Sequence, residues 1–339
     1  MSYILVVETV KIKIIVFSKD RALQLDATLR SFFSHCQDGR EDVSVHVIYK
    51  NSDELHAHQY KELSRLHPQV QFVQQKDFRW DLIQLLAPSQ INLVERIFYK
   101  LLAAIGSIGS SKNSRIERVT RRFLDGPKIH ALKLLLPKNK KNKEFVLFLV
   151  DDNIFVRNFF LADVVDNLAK NPKAIGFSLR LGKNTNYCYA MHRQQALPEF
   201  EPLSQNILAY DWTTAELDFA YPLEVSSSIY LAKRLTPLLM SMQFRNPNEL
   251  EAKISSRSFI FKKQYPKLLC FDQSVTFCNP VNIVQNVYNN RAGEHAGLSV
   301  GYLAELFAQG KQVSIDRLND FIPNACHQEI ELSFEDRKR

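Results

Sequence analysis

Hydrophobic positions in the first part of the chain fall into short blocks separated by polar turns. The run Ile12-Lys13-Ile14-Ile15-Val16-Phe17 is rich in β-branched residues and reads as a first strand. Ser18-Lys19-Asp20-Arg21 leads into ALQLDATLRSFFSHC, where Leu25, Leu29, Phe32 and Phe33 recur at helical spacing and Asp20 or Ser18 is placed to cap the start. Val43–Tyr49 alternates as a second strand and ends in Lys50-Asn51-Ser52-Asp53; a helical stretch then runs through His67, where Pro68 stops it. Val70–Val73 is a third strand, and a helical pattern covers about 81–104. From Gly106 to Lys143 the chain turns to Gly/Ser, basic residues and KNKKNK, which reads as an insertion.

Phe145–Val150 is an unbroken apolar run, as expected of a strand buried on both faces. A helix over about 158–169 and a strand at 174–179 come next. Strands alternating with helices predict an α/β fold, with a mostly parallel sheet, flanking helices and right-handed crossovers. Beyond Gly182 the chain becomes aromatic and polar, and this half is expected to cover the open end of the sheet. Residues 1–180, with the insertion at about 106–143, and 181–339 are expected to form two halves of one continuous domain.

Composition narrows the class. With 339 residues, 45% of them hydrophobic, the chain can bury a substantial core. No apolar run approaches the ~20 residues of a membrane span. The N-terminal stretch is broken by Glu8, Lys11 and Lys13 and has no small-residue cleavage site, so the expected location is cytoplasmic. Five cysteines without a CxxC pair read as reduced thiols rather than a disulfide framework or a zinc site.

The net charge of +8 is local: residues 112–143 hold eleven Lys/Arg against Glu117 and Asp125, leaving 33 basic against 34 acidic groups elsewhere. Such a segment is either a solvated insertion or a surface for an anionic membrane, with peripheral placement at its inner face. Nucleic acid is the weaker reading of the same charge.

The stretch FVLFLVDDNIF sets Asp151, Asp152 and Asn153 at the mouth of a buried strand. In open α/β sheets ligands bind beyond the carboxyl ends of the strands, and Ser18–Arg21 and Asn51–Asp53 lie at such ends too. Two adjacent carboxylates repel unless donors or a cation compensate, and a divalent cation that also grips a diphosphate meets that need. The alternative is that Asp152 or Asn153 only caps the next helix.

The order FSKDRALQLDATLRSF, VIYKNSDE, FLVDDNIF resembles the GT-A-fold nucleotide-sugar glycosyltransferases, in particular the relatives of family 2. The resemblance implies a GT-A-like sheet with residues 1–180 as the nucleotide-sugar-binding half and 181–339 as the acceptor-binding half. It gives Asp151 and Asp152 the role of holding Mn²⁺ or Mg²⁺ against the donor diphosphate, Asp152 thereby sharing in catalysis. Phe17, Ser18, Lys19, Asp20, Arg21 and Asn51 are the implied nucleotide contacts, although KNSDE departs from the commoner pattern of two acids before Gly-Ser.

In Arg245-Asn-Pro-Asn-Glu-Leu-Glu-Ala252 the resemblance implies Glu251 as the base that takes the acceptor proton, with Glu249 second and on the acceptor side. Asn248 and Glu251 also fit a capping box that only starts a helix. Asp211 and Trp212 are the implied acceptor contacts, and His295 could complete the metal sphere. The implied partners are a nucleotide-sugar donor and a glycan or lipid-linked acceptor.

Two other classes compete. A sugar-1-phosphate nucleotidyltransferase needs a Gly-rich loop after the first strand, which FSKDR lacks, and no P-loop occurs. A non-catalytic module would bind a membrane or nucleic acid through 112–143 and use no donor. No GxSxG elbow marks a serine nucleophile.

Overall fold

The computed structural model describes residues 9–38, 42–86, 142–283, 293 and 297–337. The strands are β1 (Thr9–Lys19), β2 (Val43–Lys50), β3 (Val70–Gln74), β4 (Asn142–Val150), β5 (Asn153–Phe155), β6 (Ala174–Ser178), β7 (Tyr187–Cys188), β8 (Arg193–Gln194), β9 (Glu201–Pro202), β10 (Ile207–Asp211), β11 (Ser228–Leu231), β12 (Lys267–Phe271), β13 (Thr276–Cys278), β14 (Lys311–Val313) and β15 (Phe334–Asp336). The α-helices are α1 (Ala22–His35), α2 (Glu54–Leu66), α3 (Phe78–Leu86), α4 (Leu161–Lys170), α5 (Ala232–Met240), α6 (Pro247–Ser255) and α7 (Val300–Ala308).

Among the described residues nine strands form one sheet in the order β3-β2-β1-β4-β11-β6-β12-β10-β9, so both halves of the chain contribute to it. β3, β2, β1 and β4 are parallel, and β11 and β10 run against their neighbours. Both faces are covered. Ile12, Ile14, Val16, Phe145, Leu147 and Leu149 point into a core shared with α1, α2, α4 and α7, while Ile15, Phe17, Val146 and Phe148 point into one shared with α3, α5 and α6. This explains why β1 and β4 are apolar at successive positions instead of alternating. The exception, Lys13, donates from Nζ to the Leu85 carbonyl of α3 at 2.7 Å.

Close packing constrains β6. A Cβ added to Gly176 would stand 2.6 Å from Cδ1 of Tyr230 and 2.9 Å from the Ile229 carbonyl oxygen, so only glycine lets β11 approach here.

Several expectations are corrected. α1 has no side-chain cap, because Asp20 accepts from Ser52 N at 2.7 Å and Ser52 Oγ at 2.6 Å instead. Phe33 leaves the buried face at 37% exposure. α3 starts at Phe78, earlier than about 81, because Asp77 accepts from Trp80 N at 2.8 Å and begins the helix there. β4 starts at Asn142, inside the expected insertion, and most of 106–143 lies outside the described residues. The helix expected from about 158 begins at Leu161; its first N–H groups, Leu161 N and Ala162 N, donate to Asp38 at 2.7 and 2.6 Å. The acids after β4 therefore cap no helix, and the next element is the short strand β5.

The five cysteines are free thiols, four of them buried. Among the described residues no helix is long and apolar enough to cross a membrane.

Candidate active site

The chain steps outward from β1 to β2 and β3 on one side and to β4 on the other, so β1 and β4 flank a topological switch point. Their ends are in register, Phe17 opposite Val150, which brings the loops Ser18–Arg21 and Asp151–Asn153 side by side. Asp151 N donates to the Phe17 carbonyl at 3.1 Å, extending the ladder by one rung.

Asp20 then takes a left-handed backbone at φ 55°, a conformation Asp tolerates better than most residues. The kink aims Lys19 N and the Arg21 side chain at the acids. Asp151, 4% exposed, accepts from Lys19 N at 3.1 Å and from Arg21 Nη1 at 3.0 Å. Arg21 Nη1 also reaches Asp152 Oδ2 at 3.5 Å, and Nη2 donates to the Asn282 carbonyl. Burial works against the Arg21 charge, but Asp151 and Asp152 outweigh it and hold the guanidinium above its ordinary pKa.

Asp152 differs from its neighbour. Its Oδ1 is buried without a hydrogen-bond partner, and burial pushes its pKa up to about 6 against the pull of Arg21. Asn153 turns inward, accepting from Val150 N at 2.8 Å and donating to Cys278 Sγ at 3.4 Å, so it closes the turn that presents the pair.

Among the other implied nucleotide contacts, Phe17 is a core residue, stacked on Phe148 with ring centroids 5.8 Å apart, and only its backbone faces the site. Ser18 Oγ is hydrogen-bonded to the Tyr60 hydroxyl at 2.6 Å, and that hydroxyl also accepts from Arg21 N at 3.3 Å. Tyr60 thus supplies from α2 the cap that α1 lacks, a long-range contact that no local pattern announces. Asn51 lies at the same sheet edge, braced by its donation to the Asp53 carbonyl at 3.2 Å and by Gln74 Nε2 at 2.9 Å.

A second cluster faces the pair from the other half of the chain. α6 is capped by Asn246, which accepts from Glu249 N at 2.9 Å, and not by Asn248; Pro247 occupies its first turn. Glu249 completes that cap by accepting from Arg245 N at 3.2 Å, which leaves Glu251 with no capping duty. Glu251 lies beside the Tyr221 side chain and the Val225 backbone, both of which favour its charged form. Burial lifts its pKa to about 7, Arg180 opposing and Glu224 adding to the shift.

Arg180, just past β6 and 5% exposed, interacts electrostatically with both Asp152 and Glu251. Neither Arg180 nor Glu224 stands out in the sequence, since each belongs to a loop whose partners are remote. His327 was equally hidden. Its Nε2 lies 3.4 Å from Arg180 Nη1, and burial together with the Arg180 charge lowers its pKa to about 3, so it is a neutral acceptor. His295 lies outside the described residues.

Asp211 and Trp212 belong elsewhere. β10 runs antiparallel to β12, which pairs Ile207 with Phe271 and Asp211 with Lys267, so Asp211 ends at the edge of the sheet opposite the acidic pair. Asp211 closes a local turn by accepting from Thr213 N at 2.8 Å and Thr213 Oγ1 at 2.6 Å. Trp212 is 2% exposed, with Nε1 donating to the Tyr265 carbonyl at 2.7 Å. Glu249 instead faces a surface cleft with Gln75, Lys76, Asp77 and the exposed Trp80.

No protein-family model matches the chain. Over 336 residues it is 24% identical to the bifunctional glycosyltransferase pgtA of Dictyostelium discoideum, covering 91% of this chain and 37% of that protein. The chain therefore spans little more than a third of that relative's length. Among solved structures it is similar to S. aureus TarS 1-349 in complex with UDP-GlcNAc, with TM-score 0.40, 13% identity, 85% of this chain and 62% of that one covered. It is also similar to core-mannan synthase A from Aspergillus fumigatus in its Mn/GDP form, with TM-score 0.26, 10% identity, 72% and 69% covered. The resemblance to glycosyltransferases carried by the sequence motifs thus has a counterpart in a relative named for that activity.

Proposed function

We propose that this chain is a metal-dependent glycosyltransferase that moves a sugar from a nucleotide diphosphate donor to a hydroxyl of a glycan or lipid-linked acceptor. One observation carries the reading: the buried, unpartnered Oδ1 of Asp152 stands beside Asp151 and Arg21 at the switch point of the sheet, with Glu251 grouped around Arg180 on the other side.

Among the described residues no three His, Cys, Asp or Glu side chains gather as metal ligands. Mn²⁺ or Mg²⁺ at nucleotide sites commonly uses only one or two carboxylates, with phosphates and waters completing the sphere, and an orphaned Asp152 oxygen fits that pattern. Asp152 would hold the ion, with Asp151 beside it. When bound, the ion would offset charge on the departing diphosphate.

The chain's own residues supply the rest. Asp151 fixes Lys19 N and Arg21, so a backbone N–H and a guanidinium are held at the donor loop. Glu251 takes the proton of the acceptor hydroxyl as its oxygen bonds to the anomeric carbon and the bond to the diphosphate breaks. A carboxylate with a pKa near 7 suits that task, because it is a stronger base than an ordinary glutamate and is still about half ionised at neutral pH. On the acceptor side, the cleft pairs the Trp80 indole with the Arg245–Glu249 ion pair, an aromatic face and a fixed polar pair of the kind that receives sugar rings.

The deciding experiment incubates the protein with a panel of nucleotide sugars and Mn²⁺, Mg²⁺ or EDTA, and monitors donor cleavage and melting temperature together. Turnover of one donor with metal, and a melting temperature raised by its nucleotide diphosphate plus metal, are expected. The absence of both turnover and a melting shift with every donor in the panel overturns the proposal.

A further inference from the structure

Arg180 is the shared counter-charge of the second cluster. It lies just after β6 and is held from three directions. Leu179 N donates to the Ser227 carbonyl at 3.1 Å, Arg180 Nη1 donates to Ser226 Oγ at 2.7 Å, and the Arg180 carbonyl accepts from Cys326 Sγ at 3.8 Å. Nη2 lies 3.7 Å from Glu224 Oε2. Glu224 is also bonded by the backbone N–H and hydroxyl groups of Ser226 and Ser227, so the loop 224–227 is wound around its own carboxylate. The Tyr230 hydroxyl ties down the start of the same loop, donating to the Pro222 and Glu224 carbonyls at 3.1 and 2.9 Å.

That loop is what orients Glu251. Leu223 and Val225 of the loop share one buried core with Leu250 and Ile254, which flank Glu251 on α6, and the Tyr221 side chain and the Val225 backbone are the polar neighbours of Glu251. Three groups of charge or polarity therefore face Glu251 from outside α6: Arg180, Glu224 and the Tyr221 hydroxyl. The charged neighbours on α6 itself are turned away, Glu249 to Arg245 and Lys253 to the Gln243 carbonyl. The same guanidinium also interacts with Asp152 and Asp218, so one buried cation faces carboxylates of both clusters.

We infer that Arg180 is a positioning residue for the transfer: it locks the loop 221–227 against α6 so that Glu251 is aimed into the site, and it couples that glutamate to the acidic pair. The inference rests on the proposed glycosyltransferase reading. Arg180 touches no reacting atom. Without it the loop loses its clamp, and a buried carboxylate cluster loses its only counter-charge among the contacts described, an imbalance that the interior tolerates poorly.

The test uses Arg180→Lys and Arg180→Gln in the full chain, with Glu251→Gln as reference. Removing the guanidinium takes away an interaction that lowers the Glu251 pKa, so the acid limb of the kcat profile moves to higher pH by about 1 unit in Arg180→Gln. A misaimed base also lowers kcat by ~100-fold, with the donor KM within a few-fold of the parent. Arg180→Lys keeps the charge without the fork, so its limb stays near the parent while kcat still falls. Added guanidinium ion restores part of the Arg180→Gln rate.

A readout without substrate separates this inference from the parent reading: the carboxyl infrared band that disappears in Glu251→Gln is titrated in each folded variant. If that band titrates as in the parent in both Arg180 variants, the inference falls even though the parent protein turns over donor. If the band moves as described but the parent cleaves no donor, the coupling stands and the glycosyltransferase reading is what fails.

Discussion

Glu249 and Glu251 sit two residues apart on α6 and face opposite ways. Two helical steps turn the chain by about 200°. Glu249 Oε1 is clamped by Arg245 Nε and Nη2 at 2.9 and 2.6 Å over the surface cleft, while Glu251 faces Tyr221 and the Val225 backbone beside Arg180. The two carboxylates therefore have separable roles. Glu251→Gln is expected to lower kcat by ~10²- to 10⁴-fold with donor affinity intact, the range of a lost general base. Glu249→Gln leaves donor cleavage by water near the parent rate. Steady-state kinetics with saturating donor distinguishes them, and equal losses in both variants refute the assignment.

The same burial makes Glu251 a cost to the fold. Its pKa is raised from the ordinary 4.5 to about 7, so between those values the folded state binds more protons than the unfolded chain. Stability contributed by this group is thus full below about pH 4.5 and declines as pH rises toward 7. Glu251→Gln, uncharged at every pH, should melt higher than the parent at pH 8 and show little gain at pH 5. Paired thermal scans at the two pH values check this. A melting difference that does not depend on pH would mean that the carboxyl is already solvated.

Asp151 and Asp152 invite opposite outcomes on substitution. Both oxygens of Asp151 are engaged, by Lys19 N and Arg21, so Asp151→Ala breaks a buried ion pair and should cost about 3–5 kcal/mol of stability. Asp152 has one oxygen without a hydrogen-bond partner and a 3.5 Å contact to Arg21 through the other, with Cys278 and Arg180 also acting on it. Asp152→Asn should leave the melting temperature within a few degrees of the parent and abolish the stabilisation by nucleotide diphosphate plus Mn²⁺. Denaturant titration alongside ligand-dependent melting measures both. A large stability loss in Asp152→Asn with ligand response retained would make the pair structural.

How much could be read from the chain depends on how local each signal is. The apolar runs of β1 and β4 announce strands buried on both faces, and their polar ends announce the crevice, because strand, turn and helix are encoded within about 20 residues. Direction is not local. Nothing in ILAYD shows that β10 runs antiparallel, yet that reversal is what carries Asp211 and Trp212 to the far edge of the sheet. Arg180, Glu224 and His327 were illegible for the same reason, since each acquires meaning only from a partner 44 to 147 positions away, as in Arg180 with Glu224 and with His327. The local pattern places the capping box at Asn248 and Glu251, two residues too late; Pro247, which favours the first helical turn, moves the cap back to Asn246 and releases Glu251.

The two tryptophans exchange the roles their neighbourhoods suggest. Trp212, in an aromatic and acidic stretch, is buried to 2% exposure and donates to the Tyr265 carbonyl, so Trp212→Ala should cost about 3–5 kcal/mol as a core truncation. Trp80, 37% exposed, stands on the cleft beside Glu249, and its backbone N–H, held by Asp77, is untouched by truncation of the side chain. Trp80→Ala should therefore leave the melting temperature almost unchanged and raise the acceptor KM about 3- to 12-fold, the equivalent of one aromatic stacking contact. Donor hydrolysis in the absence of acceptor should not change. Acceptor oligosaccharide should also quench the tryptophan emission of the parent and lose that effect in the variant. If the variant instead loses donor affinity while its acceptor KM stays at the parent value, the cleft serves the nucleotide and the acceptor enters from another side.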